Sequence, residues 1–137
     1  MSAPDIERRA AAGVTASGRT LTGYVATFGT PAAIGGYMER IAPGAFAATL
    51  ASGRDVLALS DHDPKAVLGR TKSGSLTLRE DAKGLHFTLQ LPDTRAGNDL
   101  VALAQRNDLG GMSFGFVATD EAWEGDTREL RAVELHE

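Results

Sequence analysis

"GSLTLREDAKGLHFTLQL", residues 74–91, decides the fold class of this 137-residue chain. In its second half Leu85, Phe87, Leu89 and Leu91 fall on every second position and share one face, while His86, Thr88 and Gln90 share the other. A period of two marks a strand with one side in a core and one side toward water. "GSLTLRE" precedes it, and "DAKG" between the two carries turn residues, so the stretch reads as two strands around a turn.

Downstream, the period changes. In "PDTRAGNDLVALAQRND" (92–108), Asp93 or Thr94 can cap a helix whose apolar stripe is Leu100, Val101, Leu103 and Ala104. Gly97 weakens that helix without forbidding it. "LGG" (109–111) stops it, and "MSFGFVATDEAWEG" (112–125) and "DTRELRAVELHE" (126–137) return to strand. Upstream, "DVLALS" (55–60) reads as a strand buried on both faces, and "KAVLGRT" (65–71) as a short strand beyond Pro64. "RTLTGYVATFG" (19–29) is strand-like, with an irregularity at Gly23 that suits a bulge. "TPAAIGGYMERIAPGAF" (30–46) reads as a loop, and Pro43 opens a short helix that Gly53 closes. The first 13 residues have no sustained period and are expected to fray.

The expected fold is therefore α+β and mainly β: a small closed β-barrel of mostly antiparallel strands with one or two outer helices. Residues 1–18 form a flexible segment in this reading, and 19–137 a single domain.

Composition narrows the function classes. Acidic residues outnumber basic ones 18 to 14, a formal charge of −4, and the arginines form no stripe, which argues against a nucleic-acid surface. Cysteine is absent, which removes disulfides, thiolate metal sites and cysteine nucleophiles. No apolar run reaches the roughly 20 residues of a membrane span, and no secretory signal opens the chain, so a cytoplasmic location is the default.

Ser113 raises the chemical question. Alternation sends Met112, Phe114 and Phe116 to the core and Ser113, Gly115 and Val117 to the other face. Gly115 leaves room beside the hydroxyl, and Gly110 and Gly111 can turn the chain sharply into the strand. That geometry suits an exposed nucleophile and equally a tight strand entry. A serine nucleophile needs a base, and three histidines are present. His86 lies mid-strand on a polar face, and His136 is next to last. His62, in the strand-end segment "SDHDP" (60–64), is the best placed. A plain turn built from Ser60, Asp61 and Asp63 explains that segment too. A metal-dependent hydrolase using Asp61, His62 and Asp63 is a rival, although neighbours in an extended segment point to opposite faces and converge poorly on one ion.

Taken together, "LALSDHDPKAVLGR", "GLHFTLQLPDT", "GGMSFGF" with the following Trp123, and "RELRAVELHE" resemble the prohead maturation protease family of tailed bacteriophages, prophages and gene-transfer particles. The resemblance runs from about residue 19 onward. It implies a serine endopeptidase with a fold like the herpesvirus assembly proteases, with Ser113 as nucleophile and His62, 51 positions earlier, as general base. The family often has Asn where Asp61 stands. The closing strand implies a carboxylate third member, matched by Glu137, with His136 as the alternative, because herpesvirus proteases use histidine there. Alternation would put Glu137 on the side of Val133 and Leu135. The chain stops ahead of the family's V-S-x-V continuation, so a C-terminally shortened protease domain is expected.

The implied substrate is a scaffolding protein or the N-terminal arm of the capsid protein, cut inside the assembling procapsid in the host cytoplasm. Self-association in the active form is implied as well, with no cofactor, metal, nucleic acid or membrane. The alternative is a non-catalytic β-rich structural or binding component of a phage-like particle. The donors of an oxyanion hole have no signature in the sequence.

Overall fold

The protein's structure, a computed structural model, describes residues 6–11, 13–109 and 111–137. Its elements, in chain order, are β1 (Glu7–Ala10), β2 (Gly13–Ser17), β3 (Thr20–Thr27), β4 (Ala32–Ile34), β5 (Tyr37–Ile41), α1 (Ala47–Ala51), β6 (Leu57–Leu59), β7 (Val67–Arg70), β8 (Leu76–Glu80), β9 (Gly84–Gln90), α2 (Arg95–Gln105), β10 (Ser113–Glu124) and β11 (Thr127–Leu135). The mainly β character and the two helices agree with the sequence reading.

The closed barrel does not. The strands make three sheets, ordered β1-β10-β11-β5-β4, β2-β3-β9-β8 and β6-β7. Closure needs the outermost strands to pair with each other. Among the described residues β4 and β8 each end a sheet with no further strand beside them, so the result is a curled half-barrel. Among the described residues all pairings are antiparallel except β11 with β5, which is parallel from Thr127↔Met38 to Leu130↔Ile41.

The hairpin read from residues 74–91 is β8–β9, in register from Leu76↔Leu89 to Glu80↔Leu85. Asp81 Oδ1 closes its turn by accepting the amides of Lys83 and Gly84 at 2.8 and 3.0 Å. Leu85, Phe87, Leu89 and Leu91 are all buried, as their spacing requires. They join Leu21, Phe46, Phe114, Phe116, Leu130 and Leu135 in one core, each large side chain contributing about 1.5–3 kcal/mol by leaving water. Helix α1 caps this core from outside β11: Phe46 packs edge-on against Phe114, and Thr49 Oγ1 accepts the Leu135 amide at 3.1 Å.

Three local expectations are corrected. The irregularity in β3 lies between Tyr24 and Ala26 rather than at Gly23. Gly23 serves a different need, since a Cβ there would lie 1.9 Å from the Gly13 carbonyl oxygen of β2. The segment 30–46 is not all loop, because β4 and β5 form a hairpin around Gly35, whose φ is 60°. In the N-terminal segment expected to be flexible, residues 7–10 and 13–17 are strands paired with β10 and β3.

The pairing of β1 rests on charge. Arg9 donates to Glu39 Oε1 at 2.7 Å and Oε2 at 3.0 Å, and Arg128 donates to Glu7 Oε1 at 2.7 Å and Oε2 at 3.0 Å. Arg128 also reaches Glu39 at 3.3 Å and bonds Glu121 through Nε. Glu39 and Arg128 are buried, so the cluster satisfies ions that could not stay inside alone. The hydrogen bond from Arg128 holds the Glu7 carboxyl below its usual range against the opposing effect of burial.

Candidate active site

His62 stands on the loop between β6 and β7. Ser60 N–H bonds the Ala66 carbonyl at 2.9 Å and Asp63 N–H bonds the Ser60 carbonyl at 3.0 Å, which pins the loop at its base. Asp61 and His62 both adopt left-handed backbone, with φ of 53° and 55°. Two successive non-glycine residues in that region carry strain, and such strain gathers where a side chain has to be aimed. Here it aims the His62 imidazole at the start of β10.

Ser113 is the first residue of β10, opposite Ala10 of β1. Phe114 and Phe116 beside it are buried, so the strand's inner face is fixed and the hydroxyl lies on the other. Its Oγ is 2.5 Å from His62 Nε2. His62 Nδ1 is 2.6 Å from Glu137 Oε1. The three side chains predicted from sequence therefore form one continuous hydrogen-bonded line, although they come from a loop, a strand start and the residue pair beyond β11. Gly110, expected to help turn the chain into this strand, lies outside the described residues, and a Cβ on Gly111 would meet open space.

Glu137 reaches the line by breaking the alternation expected of it. The Gly115 carbonyl accepts both the His136 amide at 2.9 Å and the Glu137 amide at 3.4 Å, while Gly115 N–H bonds the Glu137 carbonyl at 2.8 Å. Two residues thus oppose one, a bulge that turns Glu137 away from the side of Val133 and Leu135 and onto the face of Gly115 and Ser113. His136, the alternative third member, forms no hydrogen bond with His62, whose two ring nitrogens meet Glu137 and Ser113. Its Nδ1 lies 2.8 Å from Arg54 Nη2, and its Nε2 lies 2.8 Å from Glu134 Oε1, although this second contact lacks hydrogen-bond alignment. His86, read as solvated, is half-buried and packs edge-on against Tyr24.

Arg8 was missed by sequence reasoning. Its Nη2 and Nε donate to Glu137 Oε1 at 3.0 and 3.3 Å. Its segment, "ERR" at 7–9, is neither a basic stripe nor an apolar period, so nothing local in the sequence marks it.

Asp61 and Asp63 do not gather around His62 as ligands. Asp63 Oδ1 accepts the Lys65 amide at 2.9 Å, and among the described residues no group of three His, Cys, Asp or Glu side chains is placed to hold an ion.

Ser113, His62 and Glu137 open onto a cleft of about 870 Å³ whose walls include Leu59, Val67, Leu100, Leu103, Leu109 and Met112. Helix α2 forms one side of it, and Val67 and Leu103 remain exposed at its walls. A cleft of that size and apolar lining can hold several residues of extended peptide.

Comparison with curated proteins and with solved structures returned no match. The model of one family, described as caudovirus prohead serine protease, matches residues 5–137, nearly the whole length. The resemblance carried by the "SDHDP" and "GGMSFGF" segments thus extends along the chain, which belongs to the caudovirus prohead serine protease family.

Proposed function

We propose that the protein is a serine endopeptidase in which Ser113 is the nucleophile, His62 the general base and acid, and Glu137 the carboxylate that orients the imidazole. The observation that carries this reading is the unbroken line from Ser113 Oγ through His62 to Glu137 Oε1, with steps of 2.5 and 2.6 Å. Serine is a weak nucleophile until a base takes its proton, and the base works best when a third group fixes its tautomer. Glu137 accepting from Nδ1–H leaves the Nε2 lone pair facing the hydroxyl.

In the reaction, Ser113 Oγ attacks the peptide carbonyl as its proton passes to His62 Nε2. The imidazolium then gives that proton to the leaving amine, and the C–N bond breaks. Water enters, loses a proton to His62 and attacks the acyl-enzyme. The serine leaves with the proton returned to it, and the free carboxylic acid is released. The side chains that do this are half-buried rather than sealed, which suits a polypeptide substrate that enters from solution.

The substrate in this proposal is the scaffolding protein or the N-terminal arm of the capsid protein, processed within the assembling procapsid, consistent with the family description. The apolar walls of the cleft favour bulky apolar side chains near the scissile bond. Self-association accompanies the active state in this reading.

Co-expression with the scaffold and capsid proteins tests it. The parent chain should yield shortened capsid or scaffold bands, whose new termini mass spectrometry identifies. Ser113→Ala should fold with an unchanged melting temperature and lose cleavage by several orders of magnitude. Processing that persists in Ser113→Ala would end the serine-protease reading.

A further inference from the structure

Glu137 Oε1 is shared between an imidazole and a guanidinium. On one side it meets His62 Nδ1 at 2.6 Å, and on the other the Arg8 guanidinium at 3.0 and 3.3 Å. Arg8 lies on β1 directly opposite Gly115, the residue whose missing side chain makes room for Glu137. Its neighbours Glu7 and Arg9 point the other way, into the buried ion cluster with Glu39 and Arg128. One face of β1 thus anchors the strand, and the other delivers a guanidinium to the site.

We propose that Arg8 is a positioning residue for the proteolytic site. The inference rests on the serine-protease reading above and adds a fourth member to it. By donating twice to the oxygen that serves His62, Arg8 fixes the Glu137 rotamer and draws charge from that oxygen. A carboxylate so restrained still orients the imidazole, and the nearby guanidinium opposes positive charge on the ring. Among the described residues, the charged side chains bonded to the His62–Glu137 pair are the pair itself and Arg8. Ser113 from β10 is neutral, and Asp63 from the His62 loop is turned toward the Lys65 amide. The Arg8 side chain is 48% exposed, so its effect is moderate and sensitive to salt.

The rate at which a fluorophosphonate probe labels Ser113, followed across pH, tests the role. Labelling forms the Oγ–P bond, expels fluoride and passes the serine proton to His62, so it reads the serine's activation without a known cleavage sequence. Arg8→Ala should slow labelling about two- to fivefold, a loss in keeping with an exposed ion pair. It should also move the acidic limb of the rate profile to higher pH. Arg8→Lys should restore part of the rate and most of the limb. In a Glu137→Ala background, Arg8→Ala should change neither.

Equal losses in both backgrounds would overturn the proposal, as would a loss that follows melting temperature with the limb unmoved. Arg8→Ala that labels like the parent, while Ser113→Ala is silent, would sink the Arg8 role alone. Labelling that survives Ser113→Ala would sink both it and the protease reading.

Discussion

Glu137 fills the space that a side chain at Gly115 would occupy. A Cβ on Gly115 would sit 3.1 Å from Glu137 Cγ, 3.5 Å from its Oε1 and 3.0 Å from Ile6 Cγ2. The same glycine accepts the two amides that form the bulge and donates its own N–H to the Glu137 carbonyl. Backbone and missing side chain therefore act together: one residue turns the carboxylate toward His62 and clears the volume it needs.

Gly115→Ala should consequently damage the site more than the fold. The position lies within a strand, where alanine adopts the backbone at little cost, but Glu137 would have to yield by a few tenths of an ångström or more. Misplacing a catalytic group by about 1 Å can cost about a hundredfold, so a loss of roughly ten- to a hundredfold in cleavage is expected. Kinetics paired with thermal melts check this. A full-rate Gly115→Ala would show that the contact leaves Glu137 enough freedom.

Glu137→Gln separates the orienting role from simple packing. Glutamine keeps the size, yet its amide nitrogen can face Nδ1 and favour the tautomer that carries its proton on Nε2. That tautomer cannot accept from Ser113, and the matching change in serine proteases costs about 10⁴ in rate. A drop of about 10²–10⁴ with an unchanged melting temperature is expected, read by single-turnover cleavage. Retention of more than half the activity would place Glu137 outside the machinery.

The parts that sequence made legible are those whose signals are local. The β8–β9 hairpin announced itself because Leu85, Phe87 and Leu89 alternate within seven residues and Asp81 sits at the turn. Helix α2 announced itself through its stripe and through Thr94, which does accept the Gly97 amide. By contrast, β1 reads "ERRA", with no apolar alternation, because its inward positions are Glu7 and Arg9. Their partners Arg128 and Glu39 lie 121 and 30 positions away, beyond any local pattern. The bulge at His136 and Glu137 was hidden for a related reason: it depends on Gly115, on another strand. Barrel closure is not encoded in the pattern, because alternation says which face is buried, not whether two edges meet. Residue types and chain order pointed to His62 and Ser113, but the left-handed backbone at Asp61 and His62 that aims the imidazole has no mark in the sequence.

Acid should loosen the molecule through Glu7. Its folded carboxyl is held below the ordinary value of 4.5, chiefly by the hydrogen bond from Arg128. A depressed acid contributes stability that is present above its unfolded value and lost as pH falls through the folded one. Denaturant melts should therefore be flat above pH ~5 and weaken progressively below it. Glu7→Gln should lower stability near neutrality and flatten part of the acid slope, leaving the share from Asp55, Asp81 and Glu129, which are also held low. An acid slope identical in Glu7→Gln would remove Glu7 from the account.

Gly97→Ala sets helix propensity against packing. In an exposed helix interior, alanine is favoured over glycine by about 1 kcal/mol. Here Gly97 is buried in the first turn of α2, and a Cβ would lie 2.1 Å from the Pro92 carbonyl oxygen and 2.9 Å from Pro92 Cδ. That carbonyl cannot easily retreat, because Arg19 Nη2 bonds it at 2.5 Å and the same nitrogen bonds Asn98 Oδ1 at 2.8 Å. The clash should win, with a net loss of about 1–3 kcal/mol, as overpacking usually costs. Because α2 walls the cleft, its displacement should also raise KM for a peptide substrate while leaving the Ser113–His62–Glu137 line intact. Urea melts and steady-state kinetics on the same variant read the two effects separately. A stabilised Gly97→Ala would mean that α2 packs against Pro92 less closely than this geometry requires.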